Sequence, residues 1–331
     1  MIGFRGRHLN MPETTLQGYH DGGRRYTVRA ILPGSEAYDN AIRVILGEDS
    51  PFSTASQMDR LVADVRSRHL SADLLRGAYA GRRLVSACLA IESPGAATVL
   101  TPQAPPGRIP PDATLSALQA VKSAAFARHI RLVQTLLSPE DEALPGVFRS
   151  AGFSFLTQLL YLEKPMSSDD RGRCSSEDVD WVPYTPQTEP LFLAALEASY
   201  IDSLDCPALT GLRSTSDVLA GHRSAGDSGS RYWWVAARKS QPYGVLLLAH
   251  QRRSGVVEVA YMGVAPPARG SGLADALLAK AVEETRLLDL DVLTVAVDRA
   301  NSPARRVYNR WGFVPVGRRD AWIAASSGVR I

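Results

Sequence analysis

Lysine is nearly missing from this 331-residue chain: 33 of its 37 basic residues are arginine, and only Lys122, Lys164, Lys239 and Lys280 are not. No basic stripe interleaved with aromatics accompanies the arginines, and the net charge is only +3, so nucleic-acid binding is not expected. Cysteine is scarce too. Cys88, Cys174 and Cys206 are too few and too scattered for a disulfide framework or a paired-cysteine metal site, which suits a reducing compartment and no metal. Long apolar runs are absent: none approaches the ~20 residues that span a bilayer, and the opening MIGFRGRHLN lacks the apolar stretch of a secretory signal. Membrane residence is therefore not expected, and a cytoplasmic protein is. What is present, 45% hydrophobic and 21% charged residues, is the composition of a globular chain, and the length suffices for two domains with cores of their own.

A polar stretch from Met166 to residue 178, almost without apolar content, reads as a linker between two blocks, residues 26–165 and 179–331; residues 1–25 read as a peripheral extension. The blocks are a diverged repeat. Gly312-Phe313 less 160 gives Gly152-Phe153, and at the same offset the apolar run Val292–Val297 falls on Leu132–Leu137 and a helix beginning near Ala274 falls on one near Thr114. With a shift of two, Tyr232–Ala237 and Gly244–Ala249 parallel Leu74–Ala80 and Ser86–Ile91. A repeat this long implies tandem domains, not a solenoid.

The richest segment is Tyr261–Leu278, an apolar strand running through a glycine turn into a helix, which is the layout of a phosphate cradle. Gly270 and Gly272 let backbone approach a ligand, and the first helical turn offers unpaired N–H groups. A Walker loop is the poorer reading, because no Gly-Lys-Ser/Thr follows the glycines. A dinucleotide turn is poorer too, since the third glycine and a downstream acid at the right distance are lacking. The wording Arg269-x-x-Gly272-x-Ala274, followed about thirty residues later by a strand, Asn301-x-x-Ala304-x-x-x-Tyr308 and Gly312-Phe313, resembles the two signature motifs of the GNAT superfamily of acyl-CoA N-acyltransferases.

That resemblance implies an α/β (α+β) chain of two tandem GNAT folds, each a mixed, mostly antiparallel twisted sheet flanked by helices. It further implies acetyl-CoA as co-substrate, no metal, and direct acetyl transfer to a primary amine borne by a small molecule or a peptide. Arg269, Gly270, Ser271, Gly272, Leu273 and Ala274 would cradle the pyrophosphate. Met262, Gly263 and Val264 would pair with the pantetheine arm, Met262 N–H serving as oxyanion donor. Asn301 and Ala304 would flank the cofactor, and Tyr308 would protonate the departing thiolate. Glu258, eleven residues before Arg269, is the candidate base, at the spacing of the histone acetyltransferase branch. Asp202 and Asp205 are expected to attract an ammonium, Arg213 a carboxylate, and Trp234 to border the acceptor. Cys206 is expected to be a small packed residue rather than an acyl carrier, and His222 and His250 to be structural.

In the first block the cradle positions carry Ile109, Asp112 and Thr114, with Pro105, Pro106 and Pro110 nearby, and Tyr308 and Asn301 become Phe148 and Asp141. A carboxylate repels phosphate and prolines remove amide donors, so the first copy is expected to keep the fold without the chemistry. A CoA-binding module without turnover and a protein or peptide acetyltransferase stand as alternatives, and self-association into a homodimer stands open.

Overall fold

The computed structural model describes residues 26–47, 74–102, 109–167, 179–224, 228–252 and 255–326; the proposed extension at 1–25, Pro105, Pro106 and linker residues 168–178 lie outside these. No helix among the described residues is long and apolar enough to cross a membrane. The chain forms two compact units, residues 1–91 with 99–125, and residues 92–98 with 126–331.

In the first unit β1 (Thr27–Ala30), β2 (Leu75–Ala80) and β3 (Arg83–Ser93) pair antiparallel in sequence order. Helix α1 (Glu36–Leu46) starts at Ser35, whose Oγ accepts from Tyr38 N at 3.2 Å, and stops at Gly47 in the left-handed region. Its Tyr38, Ile42 and Ile45 pack against Ile31, Leu75 and Leu89. Helix α2 (Pro111–Ala127) begins with proline at a position that needs no N–H and packs inward through Ala113, Ala117, Leu118 and Val121. Thr114, the counterpart of Ala274, is buried and hydrogen bonded to Ser86 at 2.9 Å; Asp112 is exposed in the first turn.

The second unit is a mixed sheet built from β4 (Ala96–Leu100), β5 (Leu132–Leu137), β6 (Ser154–Pro165), β7 (Asp180–Pro183), β8 (Trp233–Arg238), β9 (Gln241–Gln251), β10 (Val256–Val264), β11 (Val292–Asp298) and β12 (Val314–Ala325). Its order is β4-β5-β12-β6-β11-β10-β9-β8-β7, antiparallel except for β4 with β5 and β10 with β11. Helices α3 (Leu144–Ser150), α4 (Glu189–Tyr200), α5 (Thr215–Ser224), α6 (Leu273–Leu287) and α7 (Ser302–Arg310) belong to the same unit. Strand β9 reads as an unbroken apolar run because both of its faces are covered: Leu246 and Leu248 pack with α6, while Val245 and Leu247 pack with α4 and α5.

The repeat is visible in the elements. β6 and β12 are offset by 160 residues at both ends, and β3 and β9 by 158. Phe148 meets Phe153 edge to face at 4.9 Å just as Tyr308 meets Phe313 at 5.3 Å, and Asp141 caps α3 through Leu144 N as Asn301 caps α7 through Ala304 N. The strands do not respect the 165/179 boundary, however. β6, which ends the first block, lies between β11 and β12, and β12, which ends the second, lies between β5 and β6. Each block has given its last strand to the other's sheet, which is why the compact units cut the chain differently from the linker.

Candidate active site

Strands β10 and β11 run parallel only from Val257 to Val259 opposite Leu293 to Val295. Past that point β10 stays with β9 through a bulge between Val259 and Tyr261, while β11 stays with β6 as far as Asp298 opposite Leu159. The two therefore part, and a cleft of about 580 Å³ opens between them. Ala265 N donates to Tyr243 O at 2.8 Å, so the two-residue alternation of an antiparallel ladder turns Gly263 and Tyr261 toward β9 and turns Met262 and Val264 toward the cleft. Val264 O accepts from Arg269 Nε at 3.1 Å. The N–H groups of Met262 and Val264 thus face open space, as a strand awaiting a partner does.

Gly263 is required by packing. A Cβ there would lie 2.5 Å from Ser199 Oγ and 2.6 Å from Ser199 Cβ, so only glycine lets α4 close over the strand. Ser199 Oγ in turn bonds the Tyr261 hydroxyl at 2.8 Å.

At the cleft mouth Gly270 (φ 77°) and Gly272 (φ 85°) adopt left-handed backbone, and a Cβ on either would meet nothing within 4 Å. Gly272 is the N-cap of α6, so the N–H groups of Leu273 and Ala274 head the helix without intrahelical partners and at the positive end of its dipole. Ser271 Oγ is turned away to Ala268 O at 2.8 Å, and the Leu273 side chain is in the core. The Arg269 guanidinium does not project into the cradle. It binds the carbonyls of Ser199 (3.3 Å), Ile201 (2.6 Å) and Asp202 (3.3 Å) as well as Val264, fastening the end of α4 to the turn. Cationic lining comes instead from Arg306 and Arg310 on α7, four residues apart and hence on one face. These two escaped the sequence reading, although their spacing just after the Asn301 motif was a usable signal. Arg310 also grips Asp275 at 3.0 Å, and Trp311 Nε1 donates to the same carboxylate at 2.8 Å, locking α6 to α7.

Asn301 Oδ1 accepts from Ala304 N at 3.2 Å, and both residues line the cleft. Tyr308 lines it too, 4% exposed, and its hydroxyl has no hydrogen-bond partner among the described residues. Burial, and then the Asp205 charge, push this phenol above its ordinary pKa, so it keeps its proton at any physiological pH. The first copy retains the ring pair and the helix cap but has Phe148 here. Packing and capping therefore need no hydroxyl, and only the second copy carries one.

Several candidate residues sit elsewhere than the sequence suggested. Asp202 reaches the cleft edge, and Asp205 lines it, but Asp205 Oδ1 accepts from Asp298 N at 3.2 Å and burial raises its pKa. Asp298, 2% exposed, is the hub of this corner, accepting from Cys206 N (3.1 Å), Thr157 Oγ1 (2.8 Å) and Ala300 N (2.8 Å). Cys206 does not line the cleft; burial and the charges of Asp205 and Asp298 hold its thiol protonated, opposite to what a nucleophile needs. Arg213 is remote from the cleft, its Nη2 bonded to Pro94 O (2.5 Å) and Asp217 O (3.0 Å). Trp234 is remote as well: alternation along β8 gives Trp233 to the α4 face and turns Trp234 to the α6 face, under Lys280 at 4.2 Å. Glu258 lies behind the parting point, opposite Ala249 and Thr294, with Gln251 Nε2 at 3.1 Å from its Oε2.

His222 stands 5.9 Å from the Tyr261 ring, and burial, with the Arg213 charge, lowers its pKa to about 4. Between pH 6.5 and 4 the unfolded chain takes up a proton there that the folded one refuses, so acidification across this window should cost on the order of 2 kcal/mol of stability. Urea melts of wild type and His222→Gln at pH 7 and pH 4.5 test this: the variant should lose less on acidification, and equal losses would remove His222 as the cause.

The cleft thus brings together a parted parallel strand pair, a glycine turn capping a helix, and a buried tyrosine. Residues 199–313 match the model of the Acetyltransferase (GNAT) family. A mycothiol acetyltransferase from Pseudarthrobacter chlorophenolicus is 31% identical over 144 residues, 41% of this chain and 43% of that protein, so the match spans less than half of the relative's length. The fold is similar to that of a GCN5-related N-acetyltransferase from Sphaerobacter thermophilus (TM-score 0.64, 15% identity, 92% of this chain and 98% of that one). It is also similar to that of a tandem GNAT protein from the clavulanic acid biosynthesis pathway (TM-score 0.54, 13% identity, 92% and 100%).

Proposed function

We propose that the chain is an acetyl-CoA-dependent N-acetyltransferase that acetylates a primary amine by direct transfer within the β10–β11 cleft. The observation that carries this reading is the Tyr308 hydroxyl, buried in the cleft, protonated and without a hydrogen-bond partner among the described residues. The cleft fits coenzyme A: left-handed glycines with open space above them, unpaired N–H groups at the head of α6, and Arg306 and Arg310 suit its phosphates, and the free edge of β10 suits its amide-bearing arm. Acetyl-CoA supplies an acetyl group activated as a thioester. The likeness to a mycothiol acetyltransferase supports acetyl as the group transferred.

The chain's own residues then have separate tasks. Met262 N–H donates to the acyl oxygen as negative charge builds on it, Tyr308 gives a proton to the sulfur as it leaves, and Asn301 holds the start of α7 so that Tyr308 is aimed. Glu258 draws the proton from the incoming ammonium through water, since it stands behind the cleft rather than in it. The acceptor is a small molecule or a peptide amine.

With the cradle kept only in the second copy, isothermal titration should find one acetyl-CoA per chain; two equal sites would overturn the degeneracy of the first copy. Release of free thiol from acetyl-CoA in the presence of an amine panel tests the reaction itself. Tight cofactor binding with no turnover on any small or peptidic amine would instead mark a CoA-binding module.

A further inference from the structure

Behind the cleft, the sheet face shared by Glu258 and Asp298 is laid out in three rows. Register places Glu258, Thr294 and Glu163 in the first, Ala296, Tyr161 and Gly317 in the second, and Asp298, Leu159 and Arg319 in the third. Residues directly opposite across a ladder share a face, and the buried alternates Leu293, Val295 and Val297 face α6 on the other side. Ala296 belongs both to the second row and to the cleft wall, so row and cleft are continuous. Moving from Ala296 onto β6 and β12 the face stays partly open: Tyr161 is half-buried, Gly317 and Arg319 are exposed, and a Cβ on Gly317 would meet nothing within 4 Å.

The outer part of this face carries charge of both signs. Carboxylates Glu258 and Glu163 stand in the first row; the third carries the Arg319 guanidinium on β12 and, two strands away on β11, the Asp298 carboxylate, whose oxygens are taken by Thr157 Oγ1, Cys206 N and Ala300 N; the Tyr161 phenol stands between. Burial raises the Tyr161 pKa, while the Arg319 charge lowers it and the Glu258 charge raises it, as expected of a hydroxyl within electrostatic reach of both. Arg319 Nη1 donates to Arg318 O at 2.8 Å, and no carboxylate pairs with this guanidinium among the described residues.

We infer that this face is the acceptor's binding floor and that it selects an amine that also carries an anionic group: the amine is held by the Glu258 end at the cleft, the chain of the acceptor crosses Tyr161 and the open space at Gly317, and Arg319 binds the anion. The inference rests on the amine-acetylating reading above and deepens it. Two strand spacings and one side-chain repeat separate Ala296 from Arg319, roughly 12 Å between Cα atoms, and the reach of arginine shortens the amine-to-anion distance to roughly 8 Å. Tyr161 and Arg319 are carried by the two exchanged strands, so the floor exists only because the blocks trade β6 and β12.

The test is thiol release from acetyl-CoA with 4-aminobutanoate, 6-aminohexanoate and 8-aminooctanoate, each against its carboxamide. At least one acid should be used ten-fold or more efficiently than its amide. Arg319→Leu should abolish that ratio through a raised KM for the acid, leaving KM for acetyl-CoA and the melting temperature unchanged. Gly317→Phe, at ordinary backbone angles and in open space, should raise acceptor KM at least ten-fold for acid and amide alike without altering acetyl-CoA binding. Turnover of amines with no preference for acids, or a preference that survives Arg319→Leu, overturns this inference and leaves the acetyltransferase reading standing; no turnover of any amine overturns both.

Discussion

Tyr308→Phe should lower kcat by about 100-fold while KM and Kd for acetyl-CoA change less than two-fold, because the substitution removes only the proton donor from a ring that is otherwise packed. The fold has already made this exchange once. Phe148 occupies the equivalent place in the first copy, fully buried and edge to face with Phe153, so the phenylalanine shape fits the α-helix and strand around it. Loss of stability is therefore a small confounder, which a thermal melt checks directly. The pH profile gives a second readout. Burial and the Asp205 charge move the phenol above its ordinary pKa, so wild-type kcat should not fall through Tyr308 ionisation below about pH 10. A Tyr308→Phe enzyme that turns over at the wild-type rate would remove the tyrosine from the chemistry and return it to the core, where its packing alone would have placed it.

The split between what sequence motifs reveal and what they conceal follows chain locality. The cradle, the helix caps and the ring pair depend on residues within a few positions of one another, so Gly270, Gly272, Asn301 and Phe313 were readable from spacing, as was the 160-residue repeat. Side-chain direction was not. Arg269 has the residue type of a phosphate ligand, yet its guanidinium closes the end of α4, a helix whose terminus lies some seventy residues away in sequence. Arg213 and Trp234 have suitable chemistry for an acceptor site, but a bond to Pro94 and the alternation of β8 turn them elsewhere. Asp298 looked like the unremarked end of a strand and is the hub of the corner, because its partners come from β6 and from the loop after α4. The bulge at Ala260 shows why strand alternation misleads here: one extra residue changes which side chains face α4, so parity counted from Glu258 does not carry through to Gly263.

Cutting the chain at the linker should abolish the proposed activity even though residues 179–331 retain every residue that lines the cleft. Without β6, the whole of β11 from Val292 to Asp298 loses the antiparallel partner that holds it away from β10, and β12 loses both β6 and β5. The parting of β10 and β11 is sustained by β11 following β6. With that edge free, β11 keeps only its short parallel pairing with β10 and β12 keeps neither of its partners, and such open strand edges seek other partners, a recognised route to aggregation. Residues 179–331 expressed alone should be insoluble or lack a cooperative melt, with no detectable thiol release. Co-expression of residues 1–167 should restore a soluble complex and activity, because the missing strand is then supplied in trans. A monomeric, cooperatively melting and active 179–331 fragment would show that β11 and β12 pair directly when β6 is absent, and the strand exchange would then be a packing choice rather than the device that opens the cleft.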